Sequence, residues 1–161
     1  MVKSIGLKKI KTAVFISGGG SNLKSLIKFS FTNKSPISID LIISNNIKAK
    51  GLKFSKIYKI KKKTYNFINK SVSEKIILKD LRTNKIDLIC LAGFMKILSK
   101  DFINNFKGKI LNIHPSLLPK YKGLDTHTRV IKNNEKYSGC TVHFVNPKLD
   151  SGKIILQKKI K

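Results

Sequence analysis

A chain of 161 residues with 41% hydrophobic residues and 9 phenylalanines can pack one domain core, which excludes a disordered polypeptide and leaves little room for two domains. No apolar run approaches the roughly 18–20 residues that a membrane-crossing helix needs. Lysine and arginine number 34 against 8 acidic residues, a net charge of +26 that would attract nucleic acid, anionic membrane or phosphorylated metabolites without saying which.

Met1–Lys11 is basic but lacks the apolar centre of a secretory signal, so residues 1–10 are expected to be a basic N-terminal extension of a cytoplasmic protein. Thr12–Ser17 is a short β-rich run, followed by Gly18-Gly19-Gly20-Ser21-Asn22. From Leu23 the apolar spacing is helical, through Leu26 and Ile27. Ile37–Ser44 predicts a second strand and Ile57–Ile60 a short third. The stretch from Asn69 to about Lys85 has helical spacing in Val72, Ile76, Ile77 and Leu81. Ile86–Leu91 is nearly continuously apolar, as in a parallel sheet covered on both faces. Strands alternating with helices predict right-handed βαβ units and an open, doubly wound, mostly parallel α/β sheet.

Beyond Gly93 the texture changes. Lys109–Ile113 predicts a strand running into the Pro-punctuated segment His114–Gly123, and Thr126–Asn133 a helix. Thr141–Val145 and Ile154–Ile160 read as antiparallel strands joined by Asn146–Gly152. A single domain over residues 1–161 is expected. Cys90 and Cys140 lie in apolar stretches without C-x-x-C spacing, so neither a disulfide framework nor a structural zinc site is expected. Arg82 and Arg129 are the only arginines, and the lysines are scattered apart from Lys61–Lys63. Without arginine forks or interleaved aromatics, solvated surface lysine is the better reading than a dedicated nucleic-acid stripe.

Two segments can carry chemistry. Ser17–Asn22 lies at a strand-to-helix junction, where glycines admit a ligand to the backbone and a helix N-terminus offers free N–H groups to phosphate. No Gly-Lys-Ser/Thr closes it, so it is not a P-loop, and Leu23 stands where a dinucleotide fingerprint needs its third glycine. The plainer alternative is a tight turn with Ser21 or Asn22 as helix cap. Three consecutive glycines exceed what a cap requires, which favours phosphate binding. In the second segment, extended backbone points Asn112 and His114 to one side, where an amide and an imidazole can donate to one developing oxyanion. The alternative is a core histidine beside a turn. Asp150, before Ser151-Gly152, is an ordinary turn former unless the sheet brings it to the carboxyl ends of the strands, where such folds bind ligands.

SGGGSNL after the first strand, LAGFMKILS at Leu91–Ser99, LNIHPSLLPKYKG at Leu111–Gly123 and TVHFVNPKLDSGKIILQ at Thr141–Gln157 together resemble the glycinamide ribonucleotide formyltransferases of purine synthesis. The resemblance runs from about Lys11 through the chain, in order. It implies a Rossmann-like fold and formyl transfer from 10-formyltetrahydrofolate, as co-substrate and without a metal, to the amine of glycinamide ribonucleotide. By resemblance Gly20, Ser21 and Asn22 hold the substrate phosphate, and Asn112, His114 and Asp150 are catalytic. The folate contacts it implies are Lys70, Met95, Lys96, Ile97, Leu98 and Asn112, with Asn146, Pro147, Lys148, Leu149 and Asp150. Lys70 and Lys96 stand where arginine is common in that family, Asp125 where histidine is expected, and Lys122 at a frequent proline. The family's chain continues for several tens of residues past Gln157, so truncation at the C-terminus is expected. A monomer or weak homodimer with no membrane and no specific nucleic-acid partner is implied. Methionyl-tRNA formyltransferase is a related alternative that expects a tRNA-binding domain, and formyltetrahydrofolate deformylase expects another N-terminal domain. The alternative of a different class is a basic, non-enzymatic RNA-binding module or decayed gene product.

Overall fold

The computed structural model describes residues 8–161. Of the expected extension, residues 1–7 lie outside the described residues, while Ile10 already opens the first strand. The chain runs β1 (Ile10–Ile16), α1 (Ser21–Ser30), β2 (Ile37–Ser44), a 3-10 turn (Lys50–Leu52), α2 (Lys53–Ile57) and β3 (Lys61–Thr64). It continues through α3 (Lys70–Thr83), β4 (Leu88–Leu91), α4 (Lys100–Asn105), β5 (Lys109–His114), α5 (Thr126–Lys132), β6 (Ser138–Phe144) and β7 (Ile154–Ile160).

The strands form one 7-stranded sheet in the order β3-β2-β1-β4-β5-β6-β7. Pairing is parallel from β3 to β5 and antiparallel for β5–β6 and β6–β7. After β3 the chain crosses back over β1 and adds strands on the other side. Right-handed crossovers in opposite directions put helices on opposite faces. Leu23 and Ile27 of α1 accordingly pack with Val14, Ile16 and Ile42, while Ile77 and Leu81 of α3 pack with Phe15, Ile43, Ile89 and Phe102. Two-sided cover explains why Ala13–Ile16 and Leu41–Ile43 are apolar without alternation.

The third strand is not where the apolar residues predict it. Ile57 ends α2, Tyr58 and Lys59 form a turn, and the strand is Lys61–Thr64, exposed at every position. It pairs with β2 alone and forms the sheet edge, where lysines discourage pairing with another chain. Lys63 and Tyr65 tie this edge to α3 by hydrogen bonds to the Asp80 carboxylate. Burial pushes that carboxyl up, but these two bonds outweigh it and hold it below the ordinary range. Helix α4 was not expected. Ser99 caps it by accepting from the Phe102 N–H at 3.0 Å, and buried Glu74 of α3 accepts from the Ser99 N–H at 2.8 Å. Strand β6 starts at Ser138, earlier than the expected Thr141.

Candidate functional site

The reversal of strand order lies between β1 and β4, and a crevice of about 440 Å³ opens at their carboxyl ends. Its walls are Ser17–Asn22 from β1 and Ala92, Gly93 and Met95 from β4. Helix α1 begins at Ser21, earlier than the apolar spacing implies, with Gly20 at φ 75 as its cap and no side chain capping it. Neither Ser21 nor Asn22 serves as the cap. The first N–H groups of the helix therefore face the crevice side without intrahelical partners. The turn is held from below: the Gly51 N–H donates to the Gly18 carbonyl at 2.9 Å, and a Cβ on Gly20 would stand 2.8 Å from the Gly51 Cα.

A lateral row links this crevice to the second segment. Phe15 of β1 lies opposite Leu91 of β4, Leu91 opposite Asn112 of β5, and Asn112 opposite His143 of β6. Antiparallel pairing of β5 and β6 thus sets His143 beside Asn112 and Thr141 beside His114. The turn after β6 then folds back. A Cβ on Gly152 would fall 1.7 Å from the Phe144 carbonyl oxygen, so glycine there lets the turn close on the strand end. Asn146 supports it, its Oδ1 accepting from the Lys148 N–H and the Ser151 hydroxyl at 3.0 Å each. Asp150, at φ 43, is delivered onto the two histidines.

The Asp150 carboxylate lies 3.4 Å from His114 Nδ1 through Oδ2 and 3.7 Å from His143 Nε2 through Oδ1. Its side chain is only 9% exposed and accepts a further hydrogen bond from the Gly123 N–H at 2.8 Å. His114 Nε2 is 2.8 Å from the Tyr121 carbonyl, so both ring nitrogens face oxygen acceptors. His143 Nδ1 is 2.8 Å from the Phe144 carbonyl, leaving Nε2 to accept from Asn112 Nδ2 at 3.2 Å. A polar cluster thus forms, hydrogen-bonded between Asn112 and His143 and between His114 and the Tyr121 carbonyl, with the Asp150 carboxylate close to both rings. Its chemical capacity is proton transfer and donation to an anion at the Asn112 end.

Of the residues the sequence proposed as catalytic, Asn112 and His114 lie on β5 and the turn carrying Asp150 folds onto His114. His143 was missed. Its signal was the alternation in Thr141-Val142-His143, which puts it on the same side as Thr141, but only the strand register reveals Asn112 as its neighbour. The carbonyl of Tyr121 and the N–H of Gly123 carry no sequence signal. Of the implied folate contacts, Met95, Lys96 and Ile97 are exposed beyond β4, and Asn146, Pro147, Lys148 and Leu149 are exposed in the turn before Asp150. Leu98 instead belongs to the core with Phe102 and Phe106. Lys70 opens α3, exposed, and makes no side-chain hydrogen bond among the described residues. Among the described residues no three His, Cys, Asp or Glu side chains group to hold a metal ion, and no helix is long and apolar enough to cross a membrane.

Residues 10–161 match the family model described as formyl transferase. A phosphoribosylglycinamide formyltransferase of Haemophilus influenzae is 45% identical over 153 residues, covering 93% of this chain and 72% of that protein. The human trifunctional purine biosynthetic protein adenosine-3 is 42% identical over 156 residues; the match covers 95% of this chain but only 15% of that larger protein. The crystal structure of phosphoribosylglycinamide formyltransferase from Anaplasma phagocytophilum superposes with a TM-score of 0.89 at 42% identity, covering 95% of this chain and 72% of that one.

Proposed function

Because the chain belongs to the formyl transferase family, we propose that it moves a formyl group from 10-formyltetrahydrofolate to the amine of glycinamide ribonucleotide. Family membership implies a folate co-substrate, and the 10-formyl derivative is the donor this reading assigns. The observation that carries the reading is the convergence of Asn112, His114 and Asp150 one strand away from the crevice.

The phosphate is held at Gly20, Ser21 and Asn22 by the free N–H groups and positive end of α1. Met95 and Ile97, 61% and 65% exposed, with Leu149 at 48%, offer apolar surface to the flat ring of a folate. Lys96, Lys148 and Lys70 offer it charge. The substrate amine attacks the formyl carbon, the new N–C bond forms, and the bond from that carbon to the folate nitrogen breaks. The amine's proton passes to the departing nitrogen. Negative charge gathers on the formyl oxygen between these events. Asn112 holds one Nδ2 hydrogen on His143 and keeps the other for that oxygen. His114, its Nδ1 turned to the Asp150 carboxylate, donates through Nε2 once the Tyr121 carbonyl gives way to substrate. Asp150, His114 and a held water carry the proton. Holding both substrates in register supplies much of the remaining acceleration.

The test is a spectrophotometric folate assay with glycinamide ribonucleotide on the wild type and on Asn112→Ala, His114→Ala and Asp150→Asn. Each variant is expected to lose about 10²-fold or more in kcat with its melting temperature little changed. Variants near wild-type rate would remove these residues from the chemistry. Salt-dependent RNA binding without formyl transfer would establish the basic-module alternative instead.

A further inference from the structure

Ser17 sits where three strand ends meet, and it touches none of the catalytic groups. Its hydroxyl donates to Asn45 Oδ1, beyond β2, at 2.5 Å and accepts from the Met95 N–H, beyond β4, at 2.7 Å. Its backbone N–H donates to the Gly93 carbonyl at 3.0 Å, and its carbonyl accepts from Asn46 Nδ2 at 3.4 Å. A hydroxyl has one hydrogen to give and two lone pairs to accept with. Here the hydrogen goes to one neighbouring loop and a lone pair to the other. Residues on either side of this joint have different partners. Gly18–Asn22 line the crevice from one wall, whereas Met95 and Ile97 lead out from the other as exposed apolar side chains.

We infer that Ser17 is a positioning residue: its hydroxyl fixes the Met95–Ile97 segment against the glycine turn, so that binding at the turn also orders the surface that receives the second substrate. This rests on the assignment of phosphate to the turn and folate to Met95–Ile97. Loss of the hydroxyl removes the only side-chain hydrogen bond to the Met95 N–H among the described residues while leaving the glycine turn on its Gly51 support. The two subsites then remain but cease to communicate.

Kinetics and hydrogen exchange on the whole chain test this. In Ser17→Ala the KM values for glycinamide ribonucleotide and for the formyl donor are expected to rise together, each about 2- to 10-fold, the worth of one net hydrogen bond. Ser17→Thr, which keeps the hydroxyl, restores both. Asn45→Ala serves as a milder variant that leaves the Met95 contact in place and is expected to shift both KM values less. Independently of turnover, inorganic phosphate is expected to slow amide exchange in residues 93–99 of the wild type and of Ser17→Thr. In Ser17→Ala it should slow exchange only in residues 18–24. A rise confined to one KM, a lowered melting temperature with both KM values unchanged, or phosphate protection of 93–99 persisting in Ser17→Ala would each overturn the inference. Wild type that neither formylates nor protects residues 18–24 with phosphate would overturn the functional reading beneath it, a result distinct from uncoupling.

Discussion

Gly20 and its two predecessors look alike in sequence and differ in what the fold asks of them. Gly20 is left-handed, at φ 75, and abuts Gly51, so alanine there meets both a backbone strain of about 1–2 kcal/mol and a collision. A Cβ on Gly18 or Gly19 meets nothing within 4 Å. Thermal melts are expected to show Gly20→Ala destabilised by at least about 1–2 kcal/mol and Gly19→Ala within about 0.5 kcal/mol of wild type. Equal losses at both positions would contradict the geometry. The run of glycines was legible as a turn between strand and helix, but which glycine is structural depends on a contact with Gly51 that only the fold creates. His143 differs in kind. Fully buried, it holds Asn112 through Nε2, and a histidine in a strand without its partner in view reads as core. His143→Ala frees the Asn112 amide to rotate, and kcat is expected to fall about 10²-fold, the scale of a misplaced catalytic group. Unchanged kcat would show that Asn112 is oriented by something else.

Short elements with polar faces are the ones the sequence hides. β1, β2 and β4 are covered on both sides and announce themselves as apolar runs, and α3 shows a helical spacing of which Ile77 and Leu81 reach the core while Val72 and Ile76 stay exposed. β3 has four exposed residues and no apolar signal, because an edge strand needs only its backbone bonds to β2. The isoleucines at 57 and 60 drew the expectation to the wrong side of the turn. α4, 6 residues long, is too short to show a period. Its start was visible only as Ser99 with Phe102 following. In the folded chain the second half of a capping box comes from another helix: Glu74 of α3, 4% exposed, accepts the Ser99 N–H. Removing that carboxylate leaves a largely shielded N–H unpaired and opens a hole beside the segment that carries Met95–Leu98. Glu74→Ala is expected to cost about 1–3 kcal/mol in denaturant unfolding, and Glu74→Gln, which can still accept, less than half of that. If Gln proved as damaging as Ala, the carboxylate would be serving some purpose other than this cap.

Across the whole molecule, charge is the property most visible in the sequence and least tied to the site. The net charge is +26, yet of the lysines and arginines among the described residues only Lys63 and Lys120 form ion pairs with a carboxylate, Asp80 and Glu135 respectively. Lys61–Lys63 guards one sheet edge, and the opposite edge, β7, mixes exposed isoleucines with Lys158 and Lys159. Unpaired like charges repel over the Debye length, about 30 Å at 0.01 M salt and about 8 Å at 0.15 M. Compaction of the chain therefore works against its own field at low salt. Raising sodium chloride from about 0.01 to 0.15 M is expected to raise Tm, by about 2–4 °C for each kcal/mol of repulsion relieved in a domain of this size. A fall in Tm would mean that attractive pairs outweigh the repulsion. Inorganic phosphate at matched ionic strength separates the general field from the site. Screening then contributes equally, and any additional rise follows the logarithm of phosphate concentration over its dissociation constant. That increment is expected with the intact glycine turn and should shrink in Gly20→Ala, whose melting point falls but whose response to chloride stays the same.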